Sequence, residues 1–167
     1  MAAFSVVLIG LVVWVAWGNT ALELNTYTIT SSRLPENFDG YRIAHISDLH
    51  NVQMGEDNGN ILSILRQADP DIIAITGDLI DSRNTSLEIA LQFVGEAMKI
   101  APCYYVTGNH EARVSEYDLL KAGMVSAGVV ILENDQTEIN IDGDTSAEFG
   151  HGFLDAVFYP NYETVNN

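Results

Sequence analysis

The chain has 167 residues, which is enough for one domain, and 47% of them are hydrophobic, which is enough for a buried core. Acidic residues number 23 against 7 Lys and Arg, a net charge of −16, so we expect no nucleic-acid partner bound through a basic surface. Cys103 is the only cysteine, which excludes an internal disulfide and a cysteine-rich zinc motif.

The N-terminus is a separate, apolar segment. Residues 1–22 carry no charged side chain, and residues 2–17 are almost wholly apolar. A bilayer-spanning helix needs about 20 such residues, so the pattern favours a single-pass N-terminal membrane anchor with Trp14 and Trp17 at the interface. A cleaved signal peptide and a buried core helix are the alternatives. The side of the membrane is undetermined, because the short N-terminal tail has no Lys or Arg.

Residues 23–40 are predicted to be a linker that runs into an edge strand at 26–30. From residue 41 onward, short apolar runs alternate with helical patterns. The pattern predicts strands at 41–47, 71–76, 103–107 and 129–132, helices at 58–68, 86–100 and 115–127, and a further strand at 137–141. This order predicts an α/β fold with a mainly parallel sheet and helices on both faces. In such a sheet the ligand lies beyond the carboxyl ends of the strands.

Polar side chains able to bind metals follow three of these strands at the point where each ends. Asp48 and His50 follow the first, Asp78 the second, and Asn109 and His110 the third. Asp48 and His50 are two residues apart, so in an extended segment they point the same way. Mixed oxygen and nitrogen donors suit manganese, iron or zinc, and a carboxylate can bridge two ions that activate a water between them.

Three segments carry a family resemblance: ISDLH at 46–50, GDLID at 77–81 and GNHE at 108–111. Together they resemble the calcineurin-like metallophosphoesterase family over roughly residues 26–141. Residues 38–43 and the apolar N-terminus resemble its membrane-anchored bacterial phosphodiesterase branch, whose relatives include enzymes that cleave UDP-2,3-diacylglucosamine in lipid A synthesis. The resemblance implies a β-sandwich flanked by helices. It also implies hydrolysis of phosphodiesters or pyrophosphates with two divalent ions, acting on a phosphorylated small molecule or lipid.

The resemblance also implies a role for each residue at the strand ends. Asp48 and His50 would bind the first ion, and Asp78 would bridge both. Asn109 would bind the second ion. His110 would protonate the leaving oxygen or stabilise charge on it.

Two further acidic residues, Asp81 and Glu111, are expected to support the ligands or cap the following turns rather than bind metal. The family pattern continues with a later His and a Gly-His-x-His element, which this chain lacks. Of its remaining histidines, His45 is expected to pack within a strand, and His151 is a weak candidate ligand.

The resulting domain organisation is a membrane anchor at 1–22, a linker and edge strand at 23–40, the N-terminal part of the phosphoesterase domain at 41–142, and an atypical tail at 143–167. The domain is thus expected to be truncated to its first, mainly parallel sheet. Two readings stay open: the N-terminal part of a metal-dependent enzyme, or a non-catalytic, membrane-anchored relic or interaction domain with an unknown protein partner.

Overall fold

The computed structural model describes residues 2–20, 22–30, 36–133, 136–141 and 145–150. It begins with helix α1 (Ala2–Thr20), so the helix predicted at residues 2–22 is present. Within the described part, however, no helix reaches the combined length and apolarity that crossing a bilayer requires. The predicted membrane span is therefore not found.

A four-stranded parallel sheet forms the centre of the domain. Its strands are β1 (Ile43–Ile46), β2 (Ile72–Thr76), β3 (Cys103–Val106) and β4 (Val130–Ile131), paired in the order β1-β2-β3-β4. The four apolar runs that predicted strands are the strands of this sheet, which confirms the predicted parallel α/β arrangement. All four strands run in the same direction, so their carboxyl ends share one edge.

The edge strand predicted at residues 26–30 does not form. Residues 22–30 contain no strand, and the Tyr27 side chain is 83% exposed. A β-favouring composition alone does not make a strand, because the segment also needs a partner for its backbone groups and a surface on which to bury one face.

Three helices follow the first three strands: α2 (Gly59–Ala68), α3 (Leu87–Ala97) and α4 (Tyr117–Ser126). Thr85 and Glu88 have the spacing of a capping pair at the start of α3, but the residue that caps this helix is the one after Thr85. Ser86 is the N-cap, and its hydroxyl accepts a hydrogen bond from the Ile89 backbone N–H at 3.4 Å. Thr85 instead donates its hydroxyl to the Asp81 carbonyl at 2.9 Å, which braces the loop before the helix.

All three helices pack on the same face of the sheet, so the prediction of helices on both faces is wrong. The reason lies in the strand order. Each strand pairs with the one that precedes it in the chain, and right-handed crossovers in a constant direction place every helix on one side. The core of this face joins buried residues from the helices and the sheet: Leu62, Leu65, Phe93, Val94, Leu120, Met124, Ile73, Ile75 and Tyr105.

The opposite face carries a smaller apolar cluster. Ile72 and Ala74 of β2 and Val106 of β3 pack there with Leu132 and with Ile139. Ile139 belongs to β5 (Gln136–Ile141), which confirms the further strand predicted at 137–141. β5 pairs antiparallel with β6 (Thr145–Gly150), a strand that the sequence pattern did not indicate. His151 lies outside the described residues.

Candidate metal centre

The carboxyl edge of the sheet brings together side chains from three strand ends. Ligand atoms of His50, Asp78 and His110 all lie within 4.8 Å of one another. The Asn109 side-chain amide donates to Asp78 Oδ2 at 3.0 Å. Asp48 Oδ1 lies 3.5 Å from His50 Nε2 at the more exposed rim. Each of the five residues predicted from sequence therefore lies in the cluster or contacts one of its members.

The loop after β1 has an unusual backbone. Asp48, His50 and Asn51 have positive φ angles of 57°, 48° and 58°. Such angles cost on the order of 1 kcal/mol or more for residues with a Cβ atom, and they cluster at functional sites. Two backbone hydrogen bonds offset this cost: His50 N–H donates to the Asp78 carbonyl at 2.9 Å, and Asn51 N–H to the Leu79 carbonyl at 3.0 Å. The first loop is thus fixed to the second.

Asp78 is the most enclosed of the candidate ligands. It is 7% exposed, and its Oδ1 accepts the His110 backbone N–H at 2.9 Å. Behind it, the β2 and β3 loops approach so closely that a Cβ atom on Gly77 would lie 2.4 Å from the Gly108 Cα atom. Gly77 also has a φ of +86°, so a glycine is required there on both counts. These contacts fix where the Asp78 carboxylate points.

The donor set fits a divalent ion. His50 Nδ1 is buried and has no hydrogen-bond partner among the described residues. This is expected for a nitrogen atom that binds a metal ion. Bonds of about 2.0–2.2 Å to a metal place ligand atoms at most ~4.4 Å apart. The candidate ligand atoms of His50 and Asp78 lie within 4.8 Å of each other, so bringing both onto one ion needs shifts of only a few tenths of an ångström.

His110 differs from His50 because one of its ring nitrogens is already occupied. Its Nδ1 accepts the Ser82 backbone N–H at 3.0 Å, and the Ser82 hydroxyl lies 3.3 Å away. A neutral imidazole that accepts at Nδ1 carries its proton on Nε2. Nε2 is then a donor and not a metal ligand. The geometry favours the predicted role of His110 as a proton donor beside the ion, and that role stays a prediction.

The loop that carries Ser82 is fixed by a residue that the sequence did not single out. Asn51 Oδ1 accepts the backbone N–H groups of Asp81 at 3.1 Å and Ser86 at 3.0 Å, while its Nδ2 donates to the Ser86 carbonyl at 2.8 Å. The partners are 30 and 35 residues away, so no local motif reveals them. The available signal was the type of residue, since Asn tolerates the left-handed backbone that this loop adopts.

Asp81 stands beside the two imidazoles without ligating. Its Oδ1 accepts the Arg83 backbone N–H at 2.7 Å and lies 3.7 Å from His110 Nδ1. That backbone hydrogen bond lowers the pKa of the Asp81 carboxyl, and the positive charge of Arg83 lowers it further against a smaller effect of burial. Asp81 therefore holds a negative charge near His110.

The family model for calcineurin-like phosphoesterases matches residues 41–163. The chain belongs to this family. Its members form a class of hydrolases, so the predicted enzyme class is confirmed at the level of the family. The match extends past residue 141, where the resemblance was expected to end, and includes β6.

Named relatives come from animals and bacteria. Two proteins called "Transmembrane protein with metallophosphoesterase domain" are 28% identical over 66% of this chain in Danio rerio and 29% identical over 72% in Bos taurus. The uncharacterized metallophosphoesterase YkuE of Bacillus subtilis is 27% identical over 85% of this chain. The matched segments cover 26%, 28% and 51% of these relatives, so the chain spans about a quarter to a half of their length.

Proposed function

We propose that this chain carries the N-terminal part of a metal-dependent phosphoesterase site that hydrolyses phosphodiester or pyrophosphate bonds. The observation that supports it is the convergence of His50, Asp78 and His110 at the carboxyl edge of a parallel sheet. Two bound divalent ions would polarise the phosphoryl oxygens and lower the pKa of a bound water.

The chain's own residues divide into ligands and a proton donor. Asp78 stands at the centre of the cluster and would contact both ions, with His50 and Asp48 on one side and Asn109 on the other. His110, with its Nδ1 occupied by Ser82, would direct Nε2–H toward the leaving oxygen. Manganese, iron and zinc all suit this donor set.

The experiment compares the two histidines in the full chain. Calorimetric titration with Mn²⁺ measures binding, and hydrolysis of bis(p-nitrophenyl) phosphate measures turnover. His50→Ala should weaken Mn²⁺ binding, whereas His110→Ala should keep binding but lower turnover, because only His50 has a nitrogen available to a metal. Full turnover in excess chelator would refute metal catalysis, and equal loss of Mn²⁺ binding in both variants would refute the division of roles.

The non-catalytic relic remains the competing proposal, and the same titration separates the two. By the proposed roles the first ion has three protein ligands, Asp48, His50 and Asp78, while the second has Asp78 and Asn109. Two ligands hold a second ion weakly unless a substrate phosphate helps. We therefore expect one tight Mn²⁺ site and low turnover in this chain alone. No measurable Mn²⁺ binding at all would favour a relic or an interaction domain.

A membrane location is a second proposal, with two observations in its favour. Two relatives have "transmembrane" in their names. Helix α1 also exposes large apolar side chains, among them Phe4, Ile9 and Trp14. Flotation with phosphatidylglycerol vesicles should carry the chain to the top of the gradient, and Ile9→Glu should abolish flotation. A wild-type chain that stays at the bottom would contradict the proposal.

The finer assignments depend on that location. We propose that the chain belongs to the membrane-anchored bacterial branch and acts on a lipid-linked substrate such as UDP-2,3-diacylglucosamine. Vesicle binding together with turnover of a lipid pyrophosphate would support both assignments. A water-soluble phosphodiester that is hydrolysed equally well with and without vesicles would count against a lipid substrate.

A further inference from the structure

Glu111 is fully buried immediately behind the candidate ligands, and its carboxylate collects four backbone N–H groups. Oε2 accepts from Asp78 at 2.9 Å and from Gly108 at 3.1 Å. Oε1 accepts from Leu79 at 2.7 Å and from Ile80 at 3.2 Å. Three of these donors lie in the loop after β2 and one lies in the loop after β3. A single side chain therefore joins the two loops that carry Asp78, Asn109 and His110.

We propose that Glu111 is a positioning residue that clamps the β2 and β3 loops together and so sets the affinity of the site for its metal. This inference rests on the proposed metal site. Among the described residues, Glu111 is not in the group whose ligand atoms converge, and it acts through the backbone of Asp78 and Gly108. The clamp fixes the position of the Asp78 carboxylate before any ion arrives.

The chemistry of the clamp requires an acceptor at both oxygens. A carboxylate has only lone pairs to offer, whereas a carboxamide of the same shape turns one of the two positions into an NH₂ donor. In Glu111→Gln that NH₂ group would face two backbone N–H groups, so two buried donors would lose their partner. Losing an acceptor for a buried donor carries the full desolvation cost of that donor.

Close packing supports the same conclusion independently of the hydrogen bonds. A Cβ atom on Gly108 would lie 2.2 Å from the Asp78 backbone nitrogen, 2.3 Å from Asp78 Oδ1 and 2.7 Å from Glu111 Oε2. Only a glycine therefore fits at position 108, between the two loops. Glu111 draws the loops together by hydrogen bonds at the place where glycine permits the approach.

The first arm of the test needs no metal. Amide hydrogen exchange in the full chain should show strong protection at Asp78, Leu79, Ile80 and Gly108. Glu111→Gln should remove that protection while the amide of Ile73 in the core of β2 keeps its protection relative to global unfolding. Unchanged protection at the four amides would overturn the clamp, whether or not the chain binds metal.

The second arm measures the consequence for the site with Mn²⁺ itself. Glu111→Gln should weaken Mn²⁺ binding by about 10–100-fold, the range typical of residues that orient metal ligands. Glu88→Gln removes an equal charge from an exposed position and should change nothing. Phe93→Leu destabilises the core away from the clamp and should keep wild-type affinity in the folded chain. An equal loss of Mn²⁺ affinity in Phe93→Leu would show that Glu111 affects metal binding only through the overall stability of the fold.

A second substitution at Glu111 keeps the proposal testable if Glu111→Gln fails to fold. Glu111→Asp keeps the carboxylate but is one methylene shorter, so it should reach only some of the four donors and give intermediate exchange and intermediate Mn²⁺ affinity. Wild-type behaviour of Glu111→Asp in both measurements would overturn the proposal. A wild-type chain that binds no Mn²⁺ would refute the proposed function, and the exchange data would then decide the clamp alone.

Discussion

Asp78 and His110, which follow β2 and β3, belong to the enclosed half of the site, where the Asp78 residue is 7% exposed and the His110 side chain 14% exposed. Asp48 and His50, which follow β1, form an open half in which the Asp48 side chain is 62% exposed. The enclosed half is held by a buried side chain and a contact between glycines. The open half is held by the peptide backbone of its neighbour and by Asn51.

The difference shows that one site can be preorganised by two different means. In the enclosed half, the position of the ligand is set by packing and by hydrogen bonds to Glu111, which water cannot replace. In the open half, three residues have positive φ angles, and hydrogen bonds to the adjacent loop stabilise them; in the enclosed half, Asp78 also has a positive φ angle, of 51°. We therefore expect substitutions in the enclosed half to cost more.

The largest expected effect is at Asp78. Asp78→Ala should lower Mn²⁺ binding and phosphodiester turnover by on the order of 10³-fold, because a metal supplies several kcal/mol of transition-state stabilisation. Asn109→Ala should cost clearly less, since the exposed Asn109 amide contacts one oxygen of Asp78. The two variants are compared by calorimetry with Mn²⁺ and by hydrolysis of bis(p-nitrophenyl) phosphate. Equal, small losses would show that Asp78 is not central.

The next effect concerns packing between the enclosed loops. Gly108→Ala should lower the free energy of unfolding by about 1–3 kcal/mol, the usual cost of overpacking, and should weaken Mn²⁺ binding. Gly95→Ala is the control, because a Cβ atom at Gly95 on α3 meets nothing within 4 Å. There the helix should become more stable by about 0.5–1 kcal/mol. Urea unfolding checks both, and a neutral Gly108→Ala would contradict the close approach of the loops.

An effect on stability of no more than that size is expected in the open half at Asn51. Asn51→Ala removes three hydrogen bonds and should destabilise the chain by about 1–3 kcal/mol in urea unfolding. By loosening the loop that holds Ser82 against His110, it should slow esters with poor leaving groups more than nitrophenyl esters. Exposed Asn84 in the same loop provides the control variant, Asn84→Ala. A uniform loss across leaving groups would mean that Asn51 does not act through His110.

The smallest effect is a dependence of stability on pH at His45 of β1. Burial lowers the pKa of His45 below the ordinary value of 6.5, although the negative charge of Asp48 acts in the opposite direction. Below pH 6.5 the unfolded chain therefore binds a proton at this position more readily than the folded chain, so stability falls as the pH drops. The unfolding free energies of wild type and His45→Gln are compared from pH 8 to 5. The difference between them should become smaller as the pH falls. A constant difference would contradict the lowered pKa.

The parts of the fold that the sequence predicted have strong local signals. Each short apolar run forms a strand of the sheet. Metal-capable side chains follow three of those strands and so meet at the carboxyl edge that the parallel strands share. The placement of the helices was mistaken because it depends on strand order, which periodicity does not report. The edge strand predicted at residues 26–30 was wrong because β-favouring residues form a strand only where a neighbouring strand is available to pair with them.

The supporting residues of the site were harder to predict for a physical reason. Glu111 bonds to groups 31 to 33 residues earlier in the chain, and Asn51 bonds to groups 30 to 35 residues later. Every residue except proline has a backbone N–H group. The residue types in the sequence therefore do not reveal which N–H groups a distant side chain will bind. Glu111 was recognisable as a supporting residue from its place in the GNHE segment, but its four partners were not.

The strand order also bears on how the protein is made. Since β2 pairs with β1 and β3 pairs with β2, each strand can dock on a segment that has already left the ribosome, without waiting for later ones. Synthesis proceeds at about 5–20 residues per second. Each pairing closes only the stretch between consecutive strands, from Ile43 to Ile72 and from Ile73 to Cys103. Glu111 emerges directly after His110, the last member of the cluster. The residue that fastens the two enclosed loops thus becomes available at the moment when both are present to be fastened.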